Sequence, residues 1–225
     1  MEEIVAVQER AGIDASVLLP MPQVYPADLV SANETITAQP HARTFPFVWL
    51  NPHMLTSHDP RGISEQALAE TLIERSVYGI KVHPVFDGYY PEPTCMAPIF
   101  EIARASALPI LWHTGWGAFG DPLFVELSAK RYPDVIIVIG HMTEAASPFV
   151  ASRCDNVYLE TSYCSGPNRL AGVVRAIGSE KVVFGSDFPA NSPIVQKMIV
   201  EESGLPDSDK EKILGGNAQR LLKLT

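Results

Sequence analysis

A single α/β domain built on a parallel sheet with helical crossovers is predicted by three observations. Short runs of β-favouring apolar residues alternate with segments of helical period along the whole chain. The connections between them are short, as in βαβ units. Polar residues able to do chemistry recur at the ends of successive apolar runs, where α/β enzymes place their sites.

The elements follow in order. Residues 2–10 are amphipathic, with Ile4, Val7 and Ala11 on one side of a helix and Glu2, Glu3, Glu9 and Arg10 on the other; Gly12 stops it. Residues 14–20 read as a short buried strand closed by Pro20, and 28–39 as a weak helix containing Thr35 and Thr37. The run 45–52 is the second strand, with Pro46 near its start. Ser64 is placed to cap a helix through Val77 that turns Leu68 and Leu72 inward. Strands are then predicted at 78–85, 110–115, 135–141 and 157–162, with helices at 97–107, 121–132, 148–154 and 167–177 between and after them. Val182, Val183 and Phe184 form the last strand, which stops at Gly185, Ser186 and Asp187 before Pro189. A helix over 193–203 and a closing helix over 208–224, opened by a Ser208/Glu211 capping box, complete the chain.

Length and composition narrow the function classes. At 225 residues the chain is near the size of one α/β barrel, so a single domain over 1–225 is expected. A hydrophobic fraction of 46% with 19% charged residues is that of a globular protein. No stretch approaches the roughly 18 uninterrupted apolar residues of a membrane span. Met1, Glu2 and Glu3 do not start a signal peptide, so a cytoplasmic location is the expectation, without a membrane partner. A net charge of -9 with no basic run opposes nucleic-acid binding. Cys95, Cys154 and Cys164 are widely spaced and odd in number, which reads as reduced thiols in or near the core.

The chemistry collects at the strand ends. Successive strands finish on Lys81 and His83, then His113, His141, Glu160 and finally Asp187. In a parallel barrel these ends converge on one face, so residues distant in sequence share a pocket. Imidazoles and a carboxylate meeting there suit a divalent metal such as zinc, manganese or iron. Lys81 and His83 are two residues apart on a strand and therefore share a face. Each residue also has a plainer reading. A lone histidine at a strand end is ordinarily a hydrogen-bonded core residue, and Lys81 or Glu160 can belong to a structural ion pair. Three histidines and an aspartate in the same relative place on four strands are harder to explain that way. Trp112, Trp116 and Phe119 read as packing or pocket wall.

The runs Gly79-Ile-Lys-Val-His-Pro84, His113-Thr-Gly115, Gly140-His141, Gly185-Ser-Asp-Phe-Pro189 and the closing stretch from Ile213 to Leu222, taken together in order and spacing, resemble the metal-dependent hydrolases of the amidohydrolase superfamily. The resemblance covers nearly the whole chain, Met1 to Leu224. It implies a (β/α)8 barrel of the TIM type with one or two metal ions, most often zinc, at its C-terminal face. It implies His113 as a metal ligand, and Asp187 as a ligand that also takes a proton from the attacking water. His141 would hold a second metal or polarise the substrate carbonyl, and Lys81, His83 and Glu160 would line the substrate pocket. The chain departs from that pattern in one respect: the family opens on a strand ending in His-x-His, whereas here the first element is a helix and no His-x-His occurs. A barrel with its first strand missing, seven strands remaining, is therefore expected. Its unpaired edges are a liability that association into a homo-oligomer would cover.

The activity expected on this basis is metal-dependent hydrolysis of an amide, ester or lactone in a small molecule, with Asp187 and His141 catalytic. The alternatives are decarboxylation by a metal-dependent lyase on the same barrel, with His141 supplying a proton, or a catalytically depleted barrel that acts as a binding protein.

Overall fold

Proline decides where much of this chain changes direction. Helices opening at Pro84, Pro93, Pro122, Pro167 and Pro193 each carry that proline in their first turn, where the missing N–H costs nothing and the fixed φ is already helical. The computed structural model describes residues 2–20, 29–38, 41–55 and 65–224. Its elements run α1 (Glu2–Ala11), β1 (Ser16–Leu18), α2 (Leu29–Thr37), β2 (Thr44–Trp49), α3 (Glu65–Glu74) and β3 (Gly79–Val82). They continue with α4 (Pro84–Asp87), α5 (Pro93–Ser106), β4 (Ile110–His113), α6 (Pro122–Arg131), β5 (Ile137–Gly140), α7 (Ala146–Arg153) and β6 (Val157–Glu160). Helix α8 (Pro167–Ile177), β7 (Val182–Val183), α9 (Pro193–Glu201), α10 (Asp207–Glu211), a π turn over Lys212–Gly216 and α11 (Asn217–Leu221) close the chain.

The seven strands pair in sequence order, β1 to β7, every pair parallel. The sheet curls as a TIM barrel does, with helices around it. Among the described residues β7 and β1 are not hydrogen-bonded to each other. On that side α1 and α9 lie together, Lys197 Nζ donating to the Ala11 and Gly12 carbonyls at 3.3 and 3.1 Å. A cavity of about 390 Å³ lined by Val7, Arg10 and residues 188–194 opens beside them.

The period-two sorting of side chains across the sheet separates core from site. Ile80, Val82, Ile110, Trp112, Ile137, Ile139, Val157, Leu159 and Val182 are fully buried on the face that meets the helices, against Met96, Phe100, Val125, Val150 and Leu170 among others. The other face carries the alternate residues Lys81, Leu111, His113, Val138 and Glu160. The apolar residues of one face thus fix the register that delivers the polar residues of the other.

The elements depart from sequence expectation at three places. The strand expected over 78–85 ends at Val82, because Pro84 cannot donate to a ladder and instead opens α4; the His83 side chain caps that helix by accepting from the Phe86 N–H at 3.2 Å. The last strand is only two residues long. Phe184 leaves the ladder and donates its N–H to the Ile213 carbonyl at 2.9 Å. The closing helix has no Ser208/Glu211 capping box: α10 begins at Asp207, one residue earlier, with Pro206 at the cap and no side-chain cap bond. The Ser64 cap and the loop 21–26 lie outside the described residues. Cys95, Cys154 and Cys164 are free thiols, two of them buried. No helix among the described residues is long and apolar enough to cross a membrane.

Candidate active site

The strand ends place His83, His113 and His141 in one buried cluster. His113 closes β4 opposite Gly140 of β5, and the 0%-exposed Trp112 and Ile139 beside them anchor both strands in the helix-facing core. Its Nδ1 lies 3.0 Å from His141 Nε2. Its Nε2 is buried without a hydrogen-bond partner among the described residues. His83 stacks on His113, ring centroids 3.5 Å apart, with Trp49 on the other side of His83 at 5.2 Å and Trp116 on the other side of His113 at 4.9 Å. Four rings from three successive strand ends thus form one stack, and Trp116 and Tyr163 also meet His141 edge to face.

A hydrogen-bonded chain backs the cluster. His141 Nδ1 lies 2.7 Å from Ser162 Oγ, which donates to Glu160 Oε2 at 2.5 Å. The same carboxylate accepts from the His141 N–H at 3.1 Å and from the Ser162 N–H at 2.7 Å. Room for it comes from Gly185, where a Cβ would stand 1.8 Å from Glu160 Oε1. Trp116, His141, Tyr163 and Asp187, which follow β4, β5, β6 and β7, all have positive φ, between 55° and 74°. Such left-handed backbone costs about 1 kcal/mol or more per non-glycine residue and gathers at functional sites.

Burial sets the charge state of the pocket. It drives the His83 pKa down to about 2 and that of His141 down to about 3, and pushes His113 far below the ordinary imidazole value, the Lys81 ammonium adding to each effect. All three imidazoles are therefore neutral. Lys81 is 5% exposed, and burial lowers its pKa to about 8 against the pull of Asp187, Glu160 and Asp87, so it remains an ammonium at neutral pH. Its side chain makes no hydrogen bond or ion pair with another described residue. Burial raises Asp187 above the ordinary carboxylate value, opposed by Lys81 and by a hydrogen bond from Tyr163. Burial also raises Glu160, against the three hydrogen bonds it accepts.

Whether these residues fit the divalent ion expected from the sequence is answered by their free donor atoms. His113 Nε2 is a buried imidazole nitrogen without a partner among the described residues, and Asp187 is a half-buried carboxylate in the field of the same Lys81. Both are ligand types that divalent ions take. Both ring nitrogens of His141 are already engaged, one by His113 and one by Ser162. Among the described residues no three His, Cys, Asp or Glu side chains come close enough together to enclose one ion. The described residues thus offer two separate candidate ligands rather than an enclosed metal site.

Lys81, His113 and Glu160 hold the last or next-to-last positions of their strands, His83 and His141 follow theirs by one residue, and Asp187 follows β7 by four. Lys81, His83, His113, His141 and Glu160 are joined by contact or by charge, and Asp187 is coupled to Lys81, Glu160 and Tyr163. Sequence reasoning missed Ser162, Tyr163, Trp49 and Asp87. Ser162 stands two residues after Glu160, the same spacing that paired Lys81 with His83. Asp87 accepts from Trp49 Nε1 at 2.9 Å and so fixes the end of the ring stack; no spacing rule links residues 38 apart.

A family model described as amidohydrolase matches residues 24–224. Gamma-resorcylate decarboxylase of Polaromonas sp. is 24% identical over 164 residues, 62% of this chain. The match takes in 46% of that enzyme, so the chain spans less than half the length of this curated relative. Among solved structures, 5-carboxyvanillate decarboxylase from Sphingomonas paucimobilis superposes with a TM-score of 0.77 at 20% identity, over 99% of this chain and 83% of that one. Dihydroxybenzoic acid decarboxylase from Polaromonas sp., solved with manganese and the inhibitor 2-nitroresorcinol, gives 0.72 at 21%, over 100% and 86%. At these identities the superpositions establish a shared fold.

Proposed function

The chain belongs to the amidohydrolase family, and from that premise we propose that it is a lyase that releases carbon dioxide from a hydroxylated aromatic carboxylic acid. The observation that carries the reading is Lys81, a buried ammonium with no hydrogen-bonded anion among the described residues, beside a stack of aromatic rings. A buried charge without a partner is costly, and a substrate carboxylate would relieve it. The rings offer flat apolar walls for an aromatic body. Decarboxylases of hydroxylated benzoates are also what the similar proteins are named. Hydrolysis, the first expectation from the sequence, makes no use of a buried cation facing an aromatic wall.

In this reading Lys81 pairs with the substrate carboxylate and holds the ring against Trp116, the outer ring of the stack. The bond from ring carbon to carboxyl carbon breaks, its electron pair stays on the ring, and neutral carbon dioxide leaves. One proton must reach that carbon. Asp187 supplies it, because burial favours its protonated form. His141 is a poorer donor than the sequence suggested, since both its nitrogens are engaged within the protein. A divalent ion at His113 Nε2, manganese in keeping with the relatives solved with that metal, would polarise a substrate oxygen, with Asp187 a ligand only in its ionised form.

The test is a substrate panel with the purified chain and added manganese. Carbon dioxide release from 2,6-dihydroxybenzoate or 5-carboxyvanillate, lost in Lys81→Met, is the expected result. Turnover of amide, ester or lactone substrates without carbon dioxide would return the assignment to hydrolysis.

A further inference from the structure

The buried hydrogen bonds behind His113 run in one direction only. Glu160 receives a backbone N–H on each of its oxygens, from His141 and from Ser162, an arrangement that favours the ionised carboxylate against the burial that opposes it. In that form it has no proton to give and accepts the Ser162 hydroxyl as a third hydrogen bond. The Ser162 proton is thereby spent on Glu160, so at 2.7 Å from His141 Nδ1 its oxygen is left to accept, and Nδ1 must carry the proton. Neutral imidazole has one N–H, so His141 Nε2 is a lone pair, and the group 3.0 Å away, His113 Nδ1, must be the donor to it. The same count leaves His113 Nε2 as a lone pair. That is the atom found buried without a partner among the described residues.

We propose that Glu160 and Ser162 are positioning residues which, through His141, fix His113 as its Nδ1–H tautomer and so hold the Nε2 lone pair in the pocket as a ligand for a divalent cation. His83 provides the internal contrast. Its Nδ1 accepts from the Phe86 N–H at 3.2 Å, so its proton sits on Nε2. Two imidazoles stacked 3.5 Å apart therefore carry opposite polarity, one with a lone pair and one with a proton at Nε2. The donor is set by a backbone amide and the acceptor by a carboxylate three hydrogen bonds away. Gly185 belongs to the device, since any side chain there would occupy the space of the Glu160 carboxylate. Outer partners of this kind fix the tautomer of metal-binding histidines and typically change metal affinity 10- to 100-fold. The proposal is independent of whether the bound substrate loses carbon dioxide or is hydrolysed, because it concerns the protein without substrate.

Long-range 1H–15N correlation spectra of the metal-free, 15N-histidine-labelled full chain read each tautomer directly. The expected pattern is Nδ1–H for His113 and His141 and Nε2–H for His83. In Ser162→Ala, His141 and His113 should become tautomer mixtures while His83 is unchanged, and Zn2+ affinity should fall about 10- to 100-fold. Ser162→Thr, which keeps the hydroxyl, should restore both. Finding His113 as Nε2–H in the wild-type chain overturns the proposal without any variant. Unchanged His113 and His141 tautomers in a folded Ser162→Ala protein overturn it too.

Discussion

Replacing Gly185 by alanine tests the packing that holds the Glu160 carboxylate in place. The new Cβ would stand 1.8 Å from Glu160 Oε1 and 2.4 Å from its Cδ, whereas real Cβ contacts essentially never fall below 3.0 Å. The carboxylate must therefore retreat by roughly 1 Å, which stretches the 2.7 Å bond from the Ser162 N–H beyond hydrogen-bonding range. A hydrogen bond to a charged group contributes about 1.5–3 kcal/mol, and overpacking a filled site costs about 1–3 kcal/mol. The expected destabilisation is about 3–5 kcal/mol, measured as the change in unfolding free energy from urea titrations. In a Glu160→Ala background the obstructing atoms are gone, and Gly185 does not have the left-handed φ that would strain an alanine. There the same substitution should be nearly neutral. A cost below about 1 kcal/mol in the wild-type background, or an equal cost in both, would refute the packing argument.

Lys81→Met should change the pH dependence of stability. The folded-state pKa of about 8 lies below the ordinary 10.5, so the unfolded chain binds more protons between those values and wild-type stability rises with pH through that window, by about 3 kcal/mol. The methionine variant should lack this rise and be the more stable protein at pH 7; parallel rise in both would contradict the assignment. His113→Ala should abolish Zn2+ binding as read by calorimetry, because it removes the buried imidazole nitrogen left without a partner among the described residues. Trp116 is 54% exposed and stacks on His113. Trp116→Ala should therefore raise KM for an aromatic acid about 2- to 10-fold and leave the urea midpoint nearly unchanged.

The parallel α/β architecture was legible because periodicity alone sorts the chain. Every second residue of the central strands is apolar and buried against helices, and the prolines that open the helices mark the strand-to-helix turns. The strand bounds were read too generously where a single backbone amide decides the matter. Pro84 has no N–H to give, and that of Phe184 goes to Ile213 rather than to the ladder. No local rule anticipates a partner 29 residues downstream. The capping box at Ser208 fails for a related reason: Pro206, its ring holding φ at −54°, stands at the cap and starts the helix one residue sooner.

The sequence by itself determined which polar residues would gather where the strands finish. Lys81, His83, His113, His141, Glu160 and Asp187 each end a strand, and the parallel sheet brings such ends to one face whatever the loops do. Only the tertiary structure decided what those residues are to one another. His141 proves to be joined to His113 and Ser162 at both nitrogens, Glu160 to be the fixed end of that chain, and Lys81 to be a buried cation without a hydrogen-bonded anion among the described residues. The physical reason is that periodicity acts through neighbours along the backbone. The direction of a hydrogen bond, the loss of solvent around an ammonium and the stacking of four rings depend on distances between strands, and those are set by packing across the whole sheet.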